Sequence, residues 1–316
     1  MGGANTKAAS EDGEYAETIY LPLWKEANLN GALERIRRDA GDRSRGPVGV
    51  TITGELADCY ATKKEGITHI SSVVKGVFPD ALFYGYDGHF YHDTVNHHLF
   101  SASNWSASAR YIGRVHGDVI FIDTGSTTTD IIPVIGGIPA AAPTDFGRLS
   151  RGELVYSGAL RTNLSVLLGS VYLRGTAVRT ASELFAITGD IYLLLGRITA
   201  DDYTCEAPDS GLKDTTGSAR RIARLVCCDL EELGMDDVMQ IARQAYRKQV
   251  DDIKAAISEV SQKHGLSKAV VCGMGSFIAR DALFEMEIPF NQIQNERISR
   301  VFPAYAVAQL VAEDIK

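Results

Sequence analysis

Nothing in the 316 residues is apolar for long enough to cross a membrane, and no signal peptide opens the chain, so neither a spanning helix nor export is expected. Cysteine is sparse: Cys59, Cys205, Cys227, Cys228 and Cys272 make no CxxC pair and no even framework. That argues against a disulfide scaffold and predicts reduced thiols in the cytoplasm. The sequons at Asn104 and Asn163 are then expected to stay unmodified. A basic excess is missing too, since 32 Lys and Arg face 40 Asp and Glu for a net charge of -8. This balance argues against nucleic acid and anionic membranes as partners, while a local basic pocket for phosphate is compatible with it. No repeat of solenoid length and no disordered tract are visible. The glycine-rich segments lack both the third glycine of a dinucleotide fingerprint and the lysine of a Walker loop.

What is present is a 45% hydrophobic chain, enough for one large or two medium cores. Its centre is residues 119–137, which read as a short apolar strand ending in Asp123, a tight turn, and a return strand from Ile131 to Ile135. The turn holds Thr124, Gly125, Ser126, Thr127 and Thr128, with Asp130 beyond it. If Gly125 takes backbone angles closed to other residues, the amides of Thr124 to Thr127 converge on an anion, and Asp123 and Asp130 hold a divalent cation. The alternative is an ordinary β-hairpin with a polar turn.

Two more segments share this character. At the start, Gly2, Gly3, Ala4, Asn5 and Thr6 are small or polar and precede Lys7, a point charge for a phosphate oxygen. Late in the chain, residues 268–280 run from strand through Gly273 and Gly275 to a helix beginning near Ser276, a place where anions bind or a purine stacks.

The order of the three segments resembles the acetate kinase, sugar kinase, Hsp70 and actin superfamily, which implies a two-lobed α/β fold with ribonuclease H-like lobes. More narrowly, Gly2-Gly3-Ala-Asn-Thr-Lys7, Thr53-Gly-Glu-Leu-Ala-Asp58, Lys64-Glu-Gly66, Asn104-Trp-Ser-Ala, Asp123 through Pro133, and Arg148 through Leu154 resemble one hydantoinase/oxoprolinase-related family. Its members are tetrahydromethanopterin-linked one-carbon transfer pathway proteins, similar to the methanofuran-biosynthesis synthase that joins an aminomethylfuran diphosphate to the phenol of γ-glutamyltyramine. In the superfamily a strand ending in Asp-x-Gly-Gly opens the first motif. Met1 stands inside that motif here, so the first strand of lobe one is expected to be missing.

The resemblance implies a transferase with magnesium, and ATP as a further ligand to consider. Magnesium would sit on Asp123 and Asp130. The diphosphate would lie on Lys7, the residues 2–7 segment, the Thr124 to Thr128 turn, and Gly273, Gly275 and Ser276. The proton acceptor would be Glu55 or Asp58, and Trp105, Arg148 and Arg161 would be substrate residues. The expected partners are a small-molecule diphosphate and a phenolic acceptor, with a homodimer allowed for. Two other functions compete: an ATP-dependent kinase or ligase with the same pocket, and a non-enzymatic nucleotide-driven switch.

The rest of the chain is assigned to a lobe at residues 1–115 and a second at 116–316, the last helix returning onto the first. Residues 15–24 read as a strand, and 30–40 as a helix capped by Asn28 or Asn30. Residues 47–53 read as a buried strand delivering Glu55 and Asp58 to a helix start with Thr53 as cap. Glu55 there either complements the helix dipole or faces ligand. His89, His92, His97 and His98 with Asp93 invite a metal reading, but their spacing fits no standard zinc pattern. Residues 101–113 form a small-residue helix on which Trp105 is either cleft-facing or a core anchor. Residues 143–154 are too charged for a core strand; Arg148, or Arg161, either clamps a diphosphate or makes a surface ion pair. Residues 160–173 read as a strand pair, and 183–195 as a helix with Asp190 and Tyr192 at its cleft end. Residues 199–216 are a loop holding Tyr203 and Cys205. Residues 219–233 and 236–264 are amphipathic helices in which Cys227 and Cys228 pack as small hydrophobes, and 298–315 is the last helix.

Overall fold

In the computed structural model, which describes residues 1–25 and 27–314, strands and helices alternate along the chain. A hairpin of β1 (Asn5–Ala9) and β2 (Ala16–Tyr20) comes first, Lys7 opposite Thr18. Helix α1 (Leu29–Ala40) starts where Asn28 accepts from the Gly31 amide. Then follow β3 (Gly49–Val50), α2 (Lys63–Val77), β4 (Leu82–Tyr84), β5 (Phe90–Tyr91) and α3 (Asn104–His116). The central pair is β6 (Val119–Thr124) and β7 (Thr129–Ile135), followed by β8 (Ile138–Pro139), α4 (Asp145–Leu149) and β9 (Leu154–Val155).

Further on come α5 (Leu164–Leu168), β10 (Ser170–Leu173), β11 (Thr176–Arg179), α6 (Thr188–Leu194), α7 (Thr215–Arg224), α8 (Leu230–Leu233) and α9 (Met235–His264). The chain closes with β12 (Ala269–Cys272), α10 (Ser276–Glu285), β13 (Phe290–Gln292), α11 (Glu296–Arg300) and α12 (Phe302–Asp314). The largest sheet runs β13-β12-β6-β7-β8, with β9 also on β7.

The chain divides into two compact units: Met1–Phe121 with Ile132–Glu153 and Asn291–Lys316, and Ile122–Ile131 with Leu154–Phe290. A single cut between 115 and 116 differs from this division because β6 and β7 each change unit partway along. In unit 1, Leu29, Leu33 and Ile36 of α1 and Ile67, Ile70 and Val74 of α2 bury against Val50, Ile52 and Phe83. Helix α12 packs on α3, β1 and β3. In unit 2 the 30-residue α9 turns Val238, Ile241, Ala245, Ile253 and Ile257 inward at helical spacing, all fully buried. Gly265, at φ 66, ends it in the left-handed conformation that glycine adopts without a Cβ penalty.

Several expectations are corrected. The strand expected over 47–53 is ordered as a pair only at Gly49–Val50, with isolated bridges at Ile52 and Thr53. The helix expected to begin at residue 54 begins at Lys63, because Thr62 rather than Thr53 accepts from the Glu65 amide and Glu65 accepts from Ala61. Residues 160–173 are a short helix before the strand, since Asn163 caps Leu164–Leu168. Cys227 and Cys228 lie in the turn between α7 and α8 instead of a packed helix face; Cys227 is exposed at φ 58. The last helix is split at Val301, and Ile315 lies outside the described residues.

Candidate functional site

The residues singled out by the sequence fall into two clusters, one in each unit. In unit 2 the turn between β6 and β7 is built as expected, but its glycine is used differently. The Gly125 φ is not positive, its amide donates to Thr128 O at 2.9 Å, and a Cβ there would lie 3.6 Å from that oxygen, an ordinary contact. Gly125 therefore has no need to be glycine, and its amide is already engaged. The half-buried amides of Ser126, Thr127 and Thr128 remain as the turn's own donors.

The glycine requirement sits on the neighbours. Gly273, at φ 92, lies so close to β6 that a Cβ would be 2.3 Å from Thr124 O and 2.4 Å from Asp123 Oδ1. A Cβ on Gly275 would meet the Thr124 side chain at 2.6 Å, and the Gly275 amide donates to Thr124 O at 2.9 Å. Strand β12 and the glycine pair thus bring Gly273 and Gly275 against Asp123 and Thr124, with Ser276 opening α10. The carboxylates Asp123 and Asp130 are both over nine-tenths buried, near the turn ends of β6 and β7. Arg161 joins this cluster through its amide, which donates to Ser126 O at 3.0 Å.

In unit 1, Gly2 bridges Thr53, and the bend at residues 2–4 leads into β1, where Asn5 Oδ1 and Thr6 Oγ1 are buried with no hydrogen-bond partner. Glu55 stands in the turns that precede α2 and is 2% exposed. Ser101 donates to its Oε1 at 2.5 Å and Lys63 donates to Ser101 at 3.0 Å, while Oε2 is buried and unpartnered. Burial pushes the Glu55 carboxyl above the usual range and nearby Asp145 adds to this, with Ser101 and Lys63 pulling it back. Asp58, the other candidate base, is exposed. Ser101 was not singled out from the sequence; its only signal there is its place just before the Asn104 segment.

Arg148 is 3% exposed, donates to Asp145 at 2.7 Å, and stacks 4.9 Å from the Trp105 ring, which is itself buried. The surface ion pair considered for Arg148 is thus a part-buried one, made because the short helix α4 turns Arg148 inward. Trp105 Nε1 is buried without a partner. Asp190 and Tyr192, read as cleft-facing, are instead core residues: both are fully buried, and Asp190 accepts from Arg221, Ser218 and Tyr203. Among the described residues no group of three or more His, Cys, Asp and Glu could hold a metal, the histidines at 89–98 included.

The Glu55 geometry has a stability consequence. A carboxyl whose folded pKa is raised costs stability above that pKa, and the cost is relieved as pH falls toward the unfolded value. Glu55→Gln is expected to raise the melting temperature at neutral pH, with the gain shrinking as pH is lowered. Thermal unfolding of both forms across pH 4 to 8 checks this, and an equal or lower melting temperature at neutral pH would contradict it.

A family model described as hydantoinase/oxoprolinase matches residues 47–314. The (4-{4-[2-(gamma-L-glutamylamino)ethyl]phenoxymethyl}furan-2-yl)methanamine synthase of Methanocaldococcus jannaschii is 35% identical over 323 residues, covering 100% of this chain and 97% of that protein. The synthase of the same name from Methanococcus vannielii is 38% identical over 203 residues, 62% of this chain and 91% of that protein. Among solved structures, nucleotide-free acetone carboxylase aligns at a TM-score of 0.52 and 11% identity, over 96% of this chain and 51% of that one. The fold is accordingly the α/β fold expected from the three glycine segments, and the chain belongs to the hydantoinase/oxoprolinase family.

Proposed function

We propose that the protein is an enzyme of methanofuran biosynthesis that joins an aminomethylfuran diphosphate to the phenol of γ-glutamyltyramine and releases diphosphate. The observation that carries this reading is the 35% identity to the Methanocaldococcus jannaschii synthase across the whole chain. The name of that synthase describes a phenoxymethyl link to a furan. Such an ether forms when the phenol oxygen attacks the furan methylene carbon, the bond from that carbon to the diphosphate oxygen breaks, and the phenol proton passes to a base.

Glu55 suits the base, because burial raises its pKa above the usual carboxylate value and its Oε2 is buried without a hydrogen-bond partner. Ser101 and Lys63 hold Oε1 and so fix which oxygen is offered. The amides of Ser126, Thr127 and Thr128 are donors for the diphosphate. Asp123 and Asp130 fit a hard divalent cation, since magnesium takes one or two carboxylates and completes its shell with phosphate oxygens and water. Bound there, it would offset the charge that gathers on the departing diphosphate. Trp105 is buried and stacked on Arg148, so it fits the core-anchor reading rather than a surface for substrate.

Mixing the enzyme with both substrates and magnesium is expected to release diphosphate and give one new aryl ether, read by mass spectrometry. Glu55→Gln is expected to lower kcat by about 10²-fold or more with a small change in KM, because proton removal belongs to the transition state. ATP offers the same diphosphate. Consumption of ATP with a phosphorylated or acyl product and no ether would replace this reading by a kinase or ligase.

A further inference from the structure

The turn at residues 125–128 is held from behind by a segment that no motif marks. The Ala159 amide donates to Gly125 O, Leu160 to Ser126 O at 2.9 Å, and Arg161 to Ser126 O. Gly158 approaches so closely that a Cβ on it would lie 2.6 Å from the Thr127 amide nitrogen. Thr129 Oγ1, at the far end of the turn, donates to Ser157 O at 2.9 Å. Residues 157–161 therefore absorb the carbonyls of Gly125 and Ser126, and where they stand determines where the turn's amides stand.

That segment is itself fixed by one side chain from the long helix. Gln249 of α9 is fully buried; its Nε2 donates to Ser157 Oγ at 2.8 Å and to Gly158 O at 2.9 Å. Tyr192, also fully buried, donates its hydroxyl to Gln249 Oε1. The Gly158 carbonyl can only accept, so it fixes the amide with its NH2 end toward Gly158, and the Tyr192 hydroxyl then holds the other end by donating to Oε1. Thr188 adds a second donor to Gly158 O at 2.9 Å, and Thr162 accepts from the Gly158 amide at 2.9 Å. A glutamine at zero exposure inside an apolar helix face is costly unless each end is bonded, and here each end is.

We infer that Gln249, held at its Oε1 end by Tyr192, is a positioning residue that sets the geometry of the anion-binding turn through Ser157 and Gly158. The inference rests on the reading of that turn as the diphosphate site. Gln249 touches no ligand, so its effect is on affinity for the diphosphate and on rate, exerted through a shift of the turn. A misplacement of about 1 Å in such a site costs up to about 100-fold.

The test uses the full chain, with inorganic diphosphate plus magnesium as the probe in calorimetric titration. Gln249→Met keeps the volume and removes both polar ends. It is expected to weaken diphosphate binding by about 10-fold to 100-fold. The KM for the furan diphosphate should rise in step, while the KM for the phenol stays unchanged. Tyr192→Phe keeps Gln249 but removes the donor to its Oε1, and is expected to give a smaller loss in the same direction; it also decides the matter if Gln249→Met does not fold. Variants that unfold more easily yet bind diphosphate as the parent does would overturn the inference and leave the site reading intact. A parent protein that binds no magnesium diphosphate would overturn both.

Discussion

Replacing Gly273 by alanine is expected to abolish magnesium diphosphate binding and to lower stability by about 3 kcal/mol or more. Two costs combine at this residue. Its φ of 92 is a conformation L side chains rarely adopt, and the added Cβ would lie 2.3 Å from Thr124 O, a backbone atom of a central strand that cannot swing aside. Relief would push β6 or β12 out of place, and with β6 go Asp123 and the start of the turn. Gly125→Ala is the control: its φ is not positive and its Cβ would meet nothing closer than 3.6 Å. It should bind and fold nearly as the parent does. Urea unfolding with diphosphate titration reads both variants, and a Gly273→Ala protein as stable as the parent would refute the argument.

The second large effect lies away from the site. Arg221→Met is expected to cost about 3–5 kcal/mol, because it leaves Asp190 as a buried carboxylate without its cation. Arg221 and Asp190 are both at zero exposure, with Arg221 Nε and Nη2 donating to Asp190 Oδ1 at 2.9 and 2.7 Å. Burial raises the Asp190 carboxyl from its ordinary value, and the Arg221, Ile187 and Ser218 hydrogen bonds draw it back down. Without Arg221 the folded pKa rises further. The folded variant then holds its proton more tightly than the unfolded chain, so its deficit is largest at neutral pH and narrows as pH falls toward the ordinary aspartate range. The double variant Asp190→Asn with Arg221→Met should recover much of the loss. Equal destabilisation at pH 5 and pH 8, or no recovery, would show that the pair is not what holds this part of unit 2.

Residues were legible in the sequence where chemistry and local backbone preference coincide. The strand, turn and strand at residues 119–135, the glycine pair entering α10, and the cap at Asn28 all follow from neighbours a few positions apart. Such neighbours are the range over which hydrogen bonds of turns and caps act. The start of α2 was misplaced by nine residues because Thr53 and Thr62 are equal as caps, and packing of residues 54–60 against Gly2 and Leu23 selects the later one. Which glycine must be glycine was also hidden. Gly125 is in the motif, but the close approaches belong to Gly158 and Gly273, which meet the turn from residues far off in sequence.

Long-range pairing likewise separated Glu55 from Asp58, since only burial and the hydroxyl of Ser101 distinguish two carboxylates three positions apart. It moved Asp190 and Tyr192 from an expected surface into the core, through Arg221 and Gln249, which reach them across 31 and 57 residues. Local sequence carries the elements and the types of chemistry available. Desolvation and the choice of partner for each polar group depend on residues brought together only by folding, and those two quantities decide which carboxylate is buried with a raised pKa, which is paired in the core, and which loop holds the turn.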